Sequence, residues 1–174
     1  MTRPRILFLT SGRDVPSSVF RVMEYLPRLR PLARVSLSPC RPPKDLSHRQ
    51  IGRGGWPLDF LLFVGKAVSR LTAISRAPLH DLVFLEGELL AAWAPVLEKM
   101  ALGLSPRTIF DLSGGIERLR PRAVGTICRR ARHVIAGDEA AAEFARGPET
   151  RVWPVPTAID TDRFIPGIRD GRTV

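Results

Sequence analysis

Cysteine is scarce in this sequence. Cys40 and Cys128 are the only two, and neither lies in a CxxC pair or beside a histidine. This excludes a zinc finger and a disulfide scaffold, and it favours a reducing cytoplasm. The three histidines are scattered, without a Ser or Cys partner at a recognisable spacing, so no nucleophilic triad is indicated. Aromatic residues make up 7%, with no RNP-like motif, which argues against a nucleic-acid-binding module.

Long apolar runs are also missing. Residues 6–9 are apolar, but this run is far shorter than the h-region of a signal peptide, and we interpret it as a strand. Residues 58–64 are interrupted by Asp59 and fall short of the roughly 18 apolar residues that a membrane span needs. We therefore predict no membrane-spanning segment and a cytoplasmic location, with peripheral contact at the inner face of the membrane as the alternative.

Acidic residues are few relative to basic ones, and the net charge is +10. Most of this excess lies in residues 1–56, which hold 11 Lys or Arg against three Asp or Glu. Such a surface attracts nucleic acid, anionic lipid or phosphorylated substrates without choosing among them. Arginine outnumbers lysine 24 to 3, so coding bias with merely solvated side chains is an equal explanation.

Strand-like and helix-like patterns alternate along the chain. Strands are predicted at residues 5–10, 34–38, 81–85, 107–112, 133–136 and 151–155. Helices are predicted from residue 16 up to a kink or end at Pro27, and at residues 58–75, 89–102, 117–131 and 139–146. Residues 39–57, rich in Pro, Gly and Arg, are predicted to be a mobile loop. This alternation predicts one α/β domain of Rossmann-like type, with a mostly parallel sheet and helices on both faces.

Ligands of such sheets bind beyond the carboxyl ends of the strands. After the first strand, Gly12 and Arg13 lead to a helix start where Ser17 and Ser18 offer an N-cap. This loop is a candidate cradle for a phosphate or for sugar hydroxyls, with a plain turn as the alternative. Arg21, one turn further on, is a candidate for binding an anionic group, or is simply solvated.

Carboxylates follow two of the buried strands. Glu86 and Asp111 are candidate catalytic residues, because a carboxylate in the crevice can orient or deprotonate an acceptor hydroxyl. Glu88 and Gly137 lie at the same predicted edge and are candidate substrate-binding residues. The alternative is structural, with Glu88 favouring a helix start and Asp111 capping a turn. Asp138 is predicted to cap the helix that it begins.

Five segments resemble a known family by their order. They are SSVFRVMEYLPRLRPL, HDLVFLEGELL, RTIFDLSGG, RHVIAGDEAAAEFA and RVWPVPTAIDTDRFIP. Together they resemble the amino-terminal domain of the GT-B glycosyltransferases of family four, also called glycosyl transferases group one. The most specific is PTAIDTDRFIP, similar to the stretch that closes this domain. The resemblance places Thr157 and Asp160 at the hinge between the two halves. Two positions depart from the family's pattern, where Leu112 follows Asp111 and Asp138 follows Gly137.

The resemblance implies an acceptor-binding half of a glycosyltransferase that moves a sugar from a nucleotide sugar. Residues 1–165 would form this domain and residues 166–174 the linker to a donor-binding domain, whose Glu-x7-Glu pattern is missing here. We therefore expect a truncated chain that is inactive alone and holds no tightly bound cofactor. A sugar, glycan or lipid-linked acceptor is the expected partner, and the basic front third and apolar helix suit an anionic membrane surface. The alternative is a non-catalytic module that binds a phosphorylated ligand or a partner protein.

Overall fold

A computed structural model describes residues 3–40, 56–89, 95–112 and 115–156. In them, one sheet of six strands has the order β2-β1-β3-β4-β5-β6, and every neighbouring pair is parallel. The strands are β1 Arg5–Thr10, β2 Arg34–Pro39, β3 Leu82–Glu86, β4 Thr108–Leu112, β5 His133–Ala136 and β6 Arg151–Pro154. The predicted single α/β domain of Rossmann-like type is confirmed.

Helices connect these strands. They are α1 Pro16–Arg21, α2 Leu26–Leu29, α3 Trp56–Ile74, α4 Val96–Leu104, α5 Ile116–Leu119, α6 Pro121–Cys128 and α7 Glu139–Ala145. Short 3-10 turns occupy Met23–Tyr25 and Ala77–Leu79. Most of the predicted loop at residues 39–57 lies outside the described residues, and its two ends belong to β2 and α3.

The direction of the strand connections distributes the helices over the two faces of the sheet. Connections between parallel strands are right-handed, so the direction from one strand to the next decides which face the connecting helix covers. The connection from β1 to β2 runs in one direction across the sheet, and its helices lie on one face. All later connections run in the opposite direction, and their helices lie on the other face. Accordingly, Phe8 packs with Val22 and Leu26 on the α1 and α2 side. The main core, including Leu85, Phe110 and their neighbours from α3, α4, α6 and α7, lies on the opposite side. The α1 side therefore has one helical unit, beside β1.

Three local predictions are wrong in detail. Pro27 does not break the first helix, because α1 ends at Arg21 and Pro27 lies in the first turn of α2, where no N–H is needed. Pro121 likewise begins α6, so the helix predicted at residues 117–131 is divided into two. The N-cap of α1 is Val15, and the two serine side chains predicted to cap it bind a carboxylate instead.

Asp138 caps α7 as predicted, since its Oδ1 accepts from the Ala141 N–H at 2.7 Å. Replacing Asp138 by alanine is expected to lower the free energy of unfolding by about 1 kcal/mol, because a free N–H of the first turn loses its partner. Asp138→Asn is the matched control and should lose much less. Equilibrium denaturation of both variants measures the difference, and equal losses would contradict the cap.

No helix among the described residues is long and apolar enough to cross a membrane. Cys40 and Cys128 are both buried and unpaired. Burial raises the pKa of the Cys128 thiol to about 12, so this side chain behaves as a small core residue.

Candidate functional site

The carboxyl edge of the sheet carries a cluster of buried polar residues. Glu86 is the last residue of β3 and lies in register with Asp111 on β4. Gly87 follows with a φ of 59°, a left-handed conformation that glycine adopts without strain. This turn separates the side chains of Glu86 and Glu88, which have different partners. Two of the predicted carboxylates, Glu86 and Asp111, therefore lie together, as parallel strands require.

Glu86 connects the end of β3 to the start of α1. Its Oε1 accepts from the Ser17 hydroxyl at 2.6 Å, and its Oε2 accepts from the Ser18 hydroxyl at 2.6 Å. The Ser11 N–H donates to the same Oε2 at 3.2 Å. Glu86 itself is buried. Three hydrogen bonds to one buried carboxylate fix its position, so Glu86 anchors the start of α1 and the preceding loop to the end of β3.

Asp111 and Arg21 form a bidentate ion pair. The Arg21 Nε donates to Asp111 Oδ2 at 2.7 Å, and its Nη2 donates to Oδ1 at 2.6 Å. The side chains are 7% and 0% exposed, respectively. The Cβ that an alanine would carry at Gly137 would lie 3.9 Å from Arg21 Nη1, so this glycine is next to the guanidinium. Six of the predicted site residues therefore lie close together: Ser17, Ser18, Arg21, Glu86, Asp111 and Gly137.

The electrostatics of this pair have opposing causes. Burial raises the pKa of the Asp111 carboxyl above its ordinary value, and the contact with Arg21 opposes that rise. Burial also lowers the pKa of Arg21, but the contact with Asp111, with smaller contributions from Glu86 and Tyr25, opposes this, and the net pKa is raised. The short, two-point contact decides between these effects, because such geometry stabilises both charges together. We conclude that the pair is ionised.

Glu88 belongs to a neighbouring contact. Its Oε2 accepts from Arg120 Nη1 at 2.9 Å, and Glu88 is buried. It does not begin a described helix, since α4 starts at Val96 and residues 90–94 lie outside the described ones. Arg120 and Glu98, whose Oε1 accepts from the Leu89 N–H at 2.6 Å, were not singled out from the sequence. The two contacts span nine and 32 residues along the chain, and neither separation matches a motif that could be recognised from the sequence.

A groove of about 340 Å³ opens beside the ion pair on the α1 side of the sheet. Arg21 and Asp111 provide its polar end, and most of its other lining is apolar. The rings of Phe8 and Phe84 belong to the lining, with centroids 5.2 Å apart. The groove exists because α1 and α2 cover only the β1 side of this face. Its size and its few polar groups are typical of small-ligand sites.

The remaining predicted residues lie at the margin or beyond it. Gly12 is buried and Arg13 exposed in the loop that connects β1 to α1. Thr157 and Asp160, the predicted hinge, lie outside the described residues, as does the predicted domain boundary at 165. No group of three or more His, Cys, Asp or Glu suited to a metal ion occurs among the residues that the structure describes.

The fold and the site together define a class: a Rossmann-like α/β domain with an ion-paired polar cluster at the carboxyl edge of its sheet and an apolar groove that extends from this cluster along one face. No protein-family model matches this sequence, and no curated protein matches it either.

Proposed function

We propose that this chain is the acceptor-binding half of a GT-B-type glycosyltransferase. The observation that carries the proposal is the groove along the α1 side of the sheet, because its polar end, formed by Arg21 and Asp111, lies at the edge where parallel sheets bind ligands. A sugar, glycan or lipid-linked acceptor would lie with its apolar surface on Phe8 and Phe84 and its hydroxyl groups toward the ion pair. The nucleotide-sugar donor would be held by a second domain.

The contacts of the two carboxylates bear on their proposed catalytic role. Glu86 accepts three hydrogen bonds from α1 and the preceding loop, and Asp111 is bound at both oxygens by Arg21. Deprotonating an acceptor would require either carboxylate to leave these partners. We propose instead that Asp111 orients an acceptor hydroxyl through the pair with Arg21, and that Glu86 is a positioning residue for α1.

One observation favours the alternative function. Because both carboxylates are engaged within the fold, the cluster supports binding as readily as catalysis. Exposed Arg13 beside the cluster would suit a phosphorylated ligand. In this reading the chain is a non-catalytic Rossmann-like module for such a ligand or for a partner protein.

Calorimetric titration separates the two functions. We expect the chain to bind an oligosaccharide or a polyprenyl-phosphate-linked sugar, to bind nucleotide sugars weakly if at all, and to transfer no sugar alone. Sugar transfer requires that the acceptor-binding and donor-binding domains align their substrates. Transfer should therefore appear when the carboxyl-terminal half of a related enzyme is added. Arg13→Ala should weaken binding of the polyprenyl-phosphate-linked sugar by removing a contact to its phosphate, whereas Arg34→Ala, at an exposed arginine at the opposite edge of the sheet, should not.

Low-micromolar binding of a nucleotide sugar, or turnover by the isolated chain, would overturn the acceptor-side assignment. Binding of inorganic phosphate or sugar phosphates, with no binding of unphosphorylated glycans, would establish the alternative instead.

A further inference from the structure

Helix α3 has the reverse of the usual amphipathic arrangement. The large apolar side chains that it exposes, each 38 to 66% accessible, are Phe60, Leu61, Val64, Val68 and Leu71. Its two cationic side chains, Lys66 and Arg70, are instead buried. An ordinary surface helix turns its apolar stripe to the core and its charges to water. Two questions follow: what keeps α3 in this orientation, and what binds its exposed apolar side.

Arg70 holds the inner face of α3 in place. Arg70 is 2% exposed, and its Nη1 and Nη2 donate to the carbonyl oxygens of Ser38 at 3.1 Å and Thr10 at 2.5 Å. These carbonyls lie at the carboxyl ends of β2 and β1, where buried acceptors need partners. One turn further, Ala73 and Ile74 join the main core. Rotating α3 to bury its stripe would break these contacts, so the apolar side remains outside.

The exposed residues form a continuous stripe. Leu61, Val64, Val68 and Leu71 are spaced by three and four residues, which places them on one side of a helix. The stripe is about 15 Å long at the rise of an α-helix. Helix α4 packs against α3 and adds exposed Val96, Met100 and Leu104. We call these exposed apolar residues of α3 and α4 the α3–α4 surface.

Cationic side chains lie near the α3–α4 surface. Arg76 is exposed just beyond the end of α3, and Lys99 is half-buried on α4. Each of the two helices has one acidic residue: Asp59 lies in the first turn of α3, and Glu98 is buried and bound to the Leu89 N–H. Asp81, just beyond α3, accepts from the Arg5 N–H at 2.7 Å. On a chain of charge +10, an apolar stripe with these cations nearby matches a partner with an apolar interior and an anionic surface.

We propose that the α3–α4 surface binds the surface of an anionic lipid bilayer. Helix α3 lies flat, with Leu61, Val64 and Val68 at the boundary of headgroups and acyl chains and with Arg76 and Lys99 near lipid phosphates. A second copy of the chain fits less well, because it would bring together two chains of charge +10. The proposal is independent of sugar transfer and is measured without it.

Sedimentation with vesicles tests the proposal. The chain should bind vesicles of phosphatidylcholine containing phosphatidylglycerol, and bind pure phosphatidylcholine vesicles far less. Leu61→Asp and Val68→Asp should each lower the partition coefficient at least about tenfold, the loss expected from withdrawing one large apolar side chain. Leu32→Asp is the matched control and should leave binding unchanged. Leu32 is 70% exposed and lies in the turn between α2 and β2, away from the α3–α4 surface.

Thermal unfolding in water should be nearly the same for all three variants, because the replaced side chains are exposed in the free chain. Absence of binding, equal binding to both kinds of vesicle, or binding insensitive to the two α3 variants would overturn the proposal. A dimer in solution that both α3 variants abolish would also overturn it and would assign the surface to a second copy. Binding of a soluble glycan should be unaffected by these variants, which separates this proposal from the proposed function.

Discussion

Replacing Asp111 by alanine is expected to lower the free energy of unfolding by about 3 to 5 kcal/mol, the range for breaking a buried ion pair by removing one partner. The Arg21 guanidinium is 7% exposed and has both Nε and Nη2 directed at Asp111, so the variant leaves a desolvated charge without its counter-ion. Equilibrium denaturation in urea measures the effect. Circular dichroism of the variant, recorded alongside, gives its folded fraction at room temperature.

The matched control removes both charges. A double variant, Arg21→Met with Asp111→Leu, should recover most of the lost free energy, because neither a buried cation nor a buried anion remains. The two single variants and the double variant form a cycle that isolates the coupling between the residues. A loss below about 1 kcal/mol in Asp111→Ala, with no coupling in the cycle, would contradict a buried ion pair.

Glu86→Ala is expected to lower the free energy of unfolding by about 3 kcal/mol, since hydrogen bonds to a charged group contribute about 1.5 to 3 kcal/mol each and hydroxyl donors partly find new partners. The variant removes the shared acceptor of the Ser17 and Ser18 hydroxyls and of the Ser11 N–H. The start of α1 should loosen, and faster amide hydrogen exchange at residues 17–21 is the specific readout.

Ser17→Ala provides the graded control. Ser17 is half-buried and contributes one of the three bonds, so its loss should lower the free energy of unfolding by about 1 kcal/mol and leave exchange in the rest of α1 little changed. Equal effects of Ser17→Ala and Glu86→Ala would contradict the anchoring role of Glu86.

Both carboxylate variants also bear on how activity is tested. The sequence alone predicts that Glu86 and Asp111 serve the crevice rather than the core, but both are fully buried and hold α1 against the sheet. Alanine at either position would therefore lower activity through stability. Exposed Arg13 gives a cleaner test of ligand binding, because its replacement removes no buried contact.

The strands were predictable from sequence because each is a short apolar run bounded by turn residues, a local property. Strands β1 and β5 have the predicted limits, and the others differ by one residue at an end, β3 at both ends. The Asp138 cap was predictable for the same reason, since the carboxylate binds an N–H three residues away. The predictions at Pro27 and Pro121 were wrong because a proline can either end a helix or begin one. The residues around the proline determine which of the two occurs.

The sequence by itself determined the α/β class, the parallel sheet and the edge at which polar residues collect, since these follow from periodicity and from the direction of parallel strands. Only the tertiary structure decided the partners: Arg21 with Asp111, Ser17 and Ser18 with Glu86, and Arg70 with the ends of β1 and β2. These contacts join residues from 32 to 90 positions apart, and side-chain type does not encode them. The sequence does not show whether a charged side chain lies in water or beside a buried counter-charge, because tertiary packing determines its surroundings.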